Sequence, residues 1–134
     1  MKVERIDHIS IAVRNLEEAR QAWEPVLGKS EPDLSYIDEG EQIKVYRYSI
    51  GEVGLELMES TSENGEVARF IRKRGEGIMV LSLHVDNTRQ AAKDLEDKDY
   101  QLIPGIRTFG GSEYAFLHPQ GMSNVLVELI DGSS

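Results

Sequence analysis

The sequence predicts an α+β domain built from two tandem βαβββ modules, on three observations. Alternating apolar segments and helix-periodic segments recur in the same order twice along 134 residues. A shift of 72 residues lays His8-Ile-Ser-Ile-Ala-Val13 on Val80-Leu-Ser-Leu-His-Val85, Asn15 on Asn87 and Ala19 on Ala91. The same shift still places Leu55-Glu56-Leu57 on Val127-Glu128-Leu129 at the far end. One register surviving from first strand to last is much stronger than any single match.

The elements follow in order. Ile6 to Val13 alternates with period two, so His8, Ser10 and Ala12 share one face and Ile9, Ile11 and Val13 the other. Asn15 is a helix cap, Glu17 and Glu18 suit a first turn, and Leu16, Ala19, Ala22, Trp23, Val26 and Leu27 recur at helical spacing. Gly28 is a natural stop, and Pro25 predicts an end or kink in the last turn. Residues 29–42 read as a loop rich in Glu, Pro and Asp. Residues 43–48 and 55–59 read as strands about a glycine turn, and 63–74 as a short helix with Val67, Phe70 and Ile71 as its apolar stripe.

The second module opens with a strand over 78–85. Asp86-Asn87-Thr88 then caps a helix carrying Ala91, Ala92 and Leu95. Residues 100–103 read as a short strand, 104–111 as a turn-rich loop, 114–117 as a strand, Pro119-Gln120-Gly121 as a turn and 124–130 as the last strand.

Composition excludes several classes of function. With no cysteine, disulfides, thiolate metal sites and cysteine nucleophiles are ruled out. A net charge of −9, from 24 acidic against 15 basic side chains, argues against nucleic acid or an anionic membrane as main partner. No apolar run approaches the roughly 20 residues that span a bilayer, and Met1 to Arg5 leads into no apolar signal segment. A cytoplasmic location is the expectation.

The polar residues inside apolar strands are the candidates for chemistry. Taken alone, His8 fits a core histidine satisfied by a hydrogen bond, and either glutamate fits the solvent side of an amphipathic strand. The repeat changes this, because Glu56 and Glu128 become equivalent positions in one framework with His8. A buried, unpartnered carboxylate costs several kcal/mol, so each needs a cation, a hydrogen-bond donor or a proton. Imidazole and carboxylates together form a mixed N/O set suited to Zn²⁺, Co²⁺, Ni²⁺, Mn²⁺ or Fe²⁺.

Asp7-His8-Ile-Ser-Ile-Ala-Val13, Leu55-Glu56-Leu57, Arg74-Gly-Glu-Gly-Ile78, Phe116-Leu-His-Pro119 and Val125-Leu-Val-Glu-Leu129 resemble the methylmalonyl-CoA epimerases of the vicinal oxygen chelate superfamily. The likeness runs from about Ile6 to Asp131. It implies a single glyoxalase-like domain over 1–134, with module one at about 4–60, a linking helix at about 63–74 and module two at about 76–131. In it a cupped mixed sheet holds a divalent metal ion (Co, Zn, Ni, Mn or Mg). The implied ligands are His8, Glu56 and Glu128. The fourth should be the second histidine of a pair after Gly-Glu-Gly-Ile, but that pair is Met79-Val80 here. Valine cannot ligate, so the metal affinity should fall. His84 stands about 13 Å along the strand from position 80, at about 3.3 Å per residue, too far to substitute. His118 reads as structural or substrate-adjacent.

The resemblance further implies a homodimer and an acyl-CoA substrate such as methylmalonyl-CoA, epimerised by proton exchange alpha to the thioester. Glu128 is the expected base that also touches the metal. The region 43–48 offers Lys44 and Arg47 but no second carboxylate. Arg69, Arg72, Lys73 and Arg74 fit either coenzyme A phosphates or a solvated helix end, and Arg107 is a candidate for a substrate carboxylate. A glyoxalase-type lyase, or a metal-free small-molecule-binding protein with an altered site, fits the same residues.

Overall fold

The computed structural model describes residues 1–132. In chain order the elements are β1 (Val3–Ala12), α1 (Leu16–Leu27), β2 (Leu34–Asp38), β3 (Ile43–Ile50), β4 (Val53–Ser60), α2 (Glu66–Arg74), β5 (Gly77–Val85), α3 (Thr88–Glu96), β6 (Arg107–Phe109), β7 (Ser112–Leu117) and β8 (Leu126–Ile130). Each half of the chain thus reads β, α, β, β, β, with α2 joining them. The strands hydrogen-bond in the order β2-β3-β4-β1-β5-β8-β7-β6.

The chain divides into two compact units, residues 9–79 and residues 1–8 with the chain from Val80 onward. In the first, α1 begins where the Asn15 side chain accepts the Glu18 N–H at 2.9 Å. It runs through Pro25 and stops at Gly28, whose left-handed φ of 68° lets its N–H reach the Glu24 and Pro25 carbonyls. The helix lays Leu16, Ala19, Trp23 and Leu27 on Ile11, Val13, Tyr46, Tyr48, Leu55 and Leu57. In the other unit, Asn87 caps α3 in the same way. Its Ala91 and Leu95 pack on Leu83, Val85, Leu117, Val127 and Leu129. In both cores the apolar members of each strand sit at alternate positions, which turns Glu56 and Glu128 away from the helix-packed face.

Two segments differ from the sequence expectation. Residues 29–42 contain β2, paired antiparallel with β3 from Leu34↔Arg47 to Asp38↔Ile43. Leu34 and Ile37 are exposed, so the burial that drives clear alternation is missing at this sheet edge. Residues 100–103 form no strand beyond a single bridge, Leu102↔Leu117. The edge strand is instead β6, inside the stretch read as a loop and paired with β7 through Arg107↔Tyr114.

Asp131, just after β8, fastens this second unit. Its carboxylate accepts the Thr88 N–H at the start of α3 and the Glu113 N–H on β7, both at 2.9 Å. Burial pushes its carboxyl up, but those two N–H donors, the Thr88 side chain and nearby His84 together outweigh burial and hold it below the usual range. A carboxyl lowered in the folded state stabilises the fold above its unfolded pKa of about 4 and loses that contribution as pH falls through the lower folded value. Asp131→Asn is therefore expected to lose about 1–3 kcal/mol near neutral pH. In denaturant melts the gap to the parent protein should shrink as the pH is lowered through the carboxylate range.

Candidate active site

The polar face of β1, β5 and β8 gathers a connected set of side chains. His8 is buried, with Nδ1 2.7 Å from Asp7 Oδ2 and Nε2 3.4 Å from Glu128 Oε1. A carboxylate only accepts, so Nδ1 carries the proton donated to Asp7, and Nε2 is turned toward Glu128. Asp7 is itself nearly inaccessible and takes a longer 3.4 Å contact from Arg5 Nη2. Glu128 is 7% exposed, and Ser82 donates its hydroxyl to Oε1 at 2.6 Å. Parallel pairing of β5 and β8 puts Ser82 directly beside Glu128 in register. A carboxylate is thus held from one side by a hydroxyl and faced from the other by an oriented imidazole.

Glu56 has different surroundings. It is 3% exposed, and Arg47 Nη1 donates to its Oε2 at 2.9 Å. The Tyr36 hydroxyl lies 3.3 and 3.2 Å from its two oxygens. Arg47 stands opposite Glu56 in the antiparallel β3–β4 register, where Glu128 meets Phe116 of β7. Of the two glutamates that the repeat makes equivalent, Glu56 thus meets a guanidinium across its strand pair and Glu128 a serine hydroxyl beside it.

These surroundings bear directly on the expected metal set. His8 and Glu128, with Asp7 behind the imidazole, form the kind of carboxylate-oriented pair that metal sites use. Glu56 does not fit that role as it stands, because a guanidinium already balances its charge. Position 80 does not fit either: Val80 is buried in β5 with Leu126 as its register partner. Among the described residues no group of three or more His, Asp or Glu side chains is gathered to hold a metal, and no buried side-chain N or O atom lacks a hydrogen-bond partner. A divalent ion that counts Glu56 among its ligands is not what the Arg47 guanidinium beside it favours.

The other candidates have local work. His84 touches Glu4 Oε1 at 2.9 Å and the Gly132 carbonyl at 2.7 Å, tying β1 to the end of β8. His118 Nδ1 accepts the Gln120 N–H and caps the turn before β8. Arg69 pairs with Glu66 and, like Arg72, donates to a carbonyl just before α2, while Arg74 lies over the Phe70 ring. Arg107 lies 5.3 Å above the Phe116 ring. Sequence reading gave no role to Asp7, Ser82 or Tyr36, and noted Arg47 only as a residue that is not a carboxylate. Ser82 left a signal in the repeat, because it falls on Ser10.

A model of the Glyoxalase/Bleomycin resistance protein/Dioxygenase superfamily matches residues 7–116. The chain belongs to that superfamily. Among its relatives, the Bacillus subtilis protein YqjC is 32% identical over 95% of this chain and 91% of its own length. The bovine mitochondrial methylmalonyl-CoA epimerase is 30% identical over 93% of this chain and 73% of its own length. A structure of Streptomyces coelicolor methylmalonyl-CoA epimerase in complex with 2-nitronate-propionyl-CoA superposes with a TM-score of 0.91 at 27% identity, covering 99% of this chain and 100% of that one. The repeated α+β arrangement expected from the sequence is thus the glyoxalase-like fold of this superfamily.

In this superfamily member the Ser82–Glu128 bond can be removed by a single change. Ser82→Ala deletes the hydroxyl beside a buried carboxylate and is expected to lower stability by about 1–3 kcal/mol, read as a shifted denaturant midpoint with an unchanged slope.

Proposed function

We propose that the chain epimerises an acyl-CoA such as methylmalonyl-CoA, by proton exchange at the carbon between thioester and carboxylate, with Glu128 as the base. The observation that carries this reading is the buried Glu128 carboxylate held between Ser82 and the Asp7-oriented imidazole of His8. The methylmalonyl-CoA epimerases among its relatives, similar over most of its length, point to the substrate class.

The chemistry follows from those contacts. The α-carbon gives up its proton to Glu128 and keeps the electron pair as an enolate, which the adjoining thioester delocalises. Burial of Glu128 keeps bulk water from competing for that proton. Ser82, bonded to Oε1, fixes the direction of the carboxylate. His8 Nε2 faces the same oxygen, and the Asp7 contact at Nδ1 fixes the orientation of the ring. A second acid on the opposite face, supplied with protons by solvent, returns a proton to the α-carbon and inverts the centre, and Glu128 passes the abstracted proton to solvent. No step in this scheme is routed through a metal.

A second reading is a metal-free protein that binds a small molecule without turning it over. Val80 and the Arg47–Glu56 pair favour it. Deuterated water separates the two. An epimerase washes solvent deuterium into the α-carbon of methylmalonyl-CoA, and Glu128→Gln should slow that exchange by about 100- to 10,000-fold while still accepting the Ser82 hydroxyl. Binding of the thioester with no wash-in by the parent protein would select the second reading.

A further inference from the structure

We infer that Arg47 is a built-in cation that takes, at Glu56, the place in the charge balance that a divalent metal ion would take. Four observations converge on it. Arg47 Nη1 donates to Glu56 Oε2 at 2.9 Å from directly across the β3–β4 pair. Both partners are largely out of solvent, with side-chain exposures of 15% and 4%, so their pairing is neither screened nor loosely held. The Tyr36 hydroxyl lies within 3.3 Å of both carboxylate oxygens.

The fourth observation is the glycine beneath the guanidinium. A Cβ at Gly54 would stand 2.3 Å from Arg47 Cζ and 2.6 Å from Nε and Nη2. The guanidinium therefore lies directly against the strand backbone, in space that exists only because residue 54 has no side chain. The matching residue of the second module is Leu126, and the residue facing Glu128 there is Phe116. The seat and the cation occur together in one module and are both missing from the other. In the same chain a valine stands at position 80, where a ligand was expected. A metal binding at Glu56 would have to break this largely buried ion pair and displace the guanidinium from the space above Gly54, an unfavourable exchange.

Cobalt titration tests this, with the d–d absorption of bound Co²⁺ as the readout on protein purified without chelator. In the parent protein, Glu56→Gln should leave Co²⁺ uptake unchanged. Arg47→Gln should raise Co²⁺ affinity at least tenfold, Arg47→Lys should not, and Glu56→Gln added to Arg47→Gln should abolish the gain. The inference is overturned if the parent binds one Co²⁺ per chain and Glu56→Gln removes it, or if Arg47→Gln folds with unchanged affinity. Should Arg47→Gln fail to fold, the parent and Glu56→Gln comparison still decides.

Discussion

A carboxylate set in the middle of an apolar strand must find a partner, and this chain imposes that requirement twice. Glu56 and Glu128 interrupt strands whose neighbouring residues form the two helix-covered cores. Alternation turns both away from their helices into nearly dry surroundings. Leaving either without compensation would cost several kcal/mol, a large fraction of the stability of a domain this size. The residues around each glutamate answer that constraint, and they answer it differently.

Around Glu56 the answer is a full charge. Arg47 arrives from the adjacent strand, Gly54 makes room for it, and Tyr36 adds a hydroxyl. Around Glu128 the surroundings include a serine hydroxyl donating at 2.6 Å and an imidazole nitrogen facing it at 3.4 Å, with the other ring nitrogen held by Asp7. A carboxylate locked to a guanidinium is poorly suited to accept a proton. One that is oriented by a serine and faced by a histidine is better suited. Equivalent positions in a duplicated framework thus acquire different surroundings through their neighbours.

Much of the fold was legible before any coordinates. Strands with one face against a helix, such as β1, β4 and β8, alternate cleanly because burial enforces period two. Helices α1 and α3 begin at Asn15 and Asn87 because a side-chain amide satisfies the first free N–H groups. The failures lie at the two ends of the sheet. There β2 exposes Leu34 and Ile37, and β6 is three residues long with Phe109 exposed, so neither carries the one-sided burial that makes a strand readable. His84 and His118, indistinct in the sequence, prove to be a clamp on β1 and a turn cap.

The sequence by itself determined the duplication, the strand faces, and the pairing of Glu56 with Glu128 as equivalents, because periodicity and a single offset are properties of order along the chain. Only tertiary structure decided what each glutamate touches. Arg47 meets Glu56 because the Gly51-Glu52 turn sets the β3–β4 register, and a one-residue slip would have presented Tyr46 or Tyr48 instead. Ser82 meets Glu128 because β5 and β8 run parallel in one particular register. Charge compensation is a contact between distant residues, and distance in space is what a linear sequence does not carry.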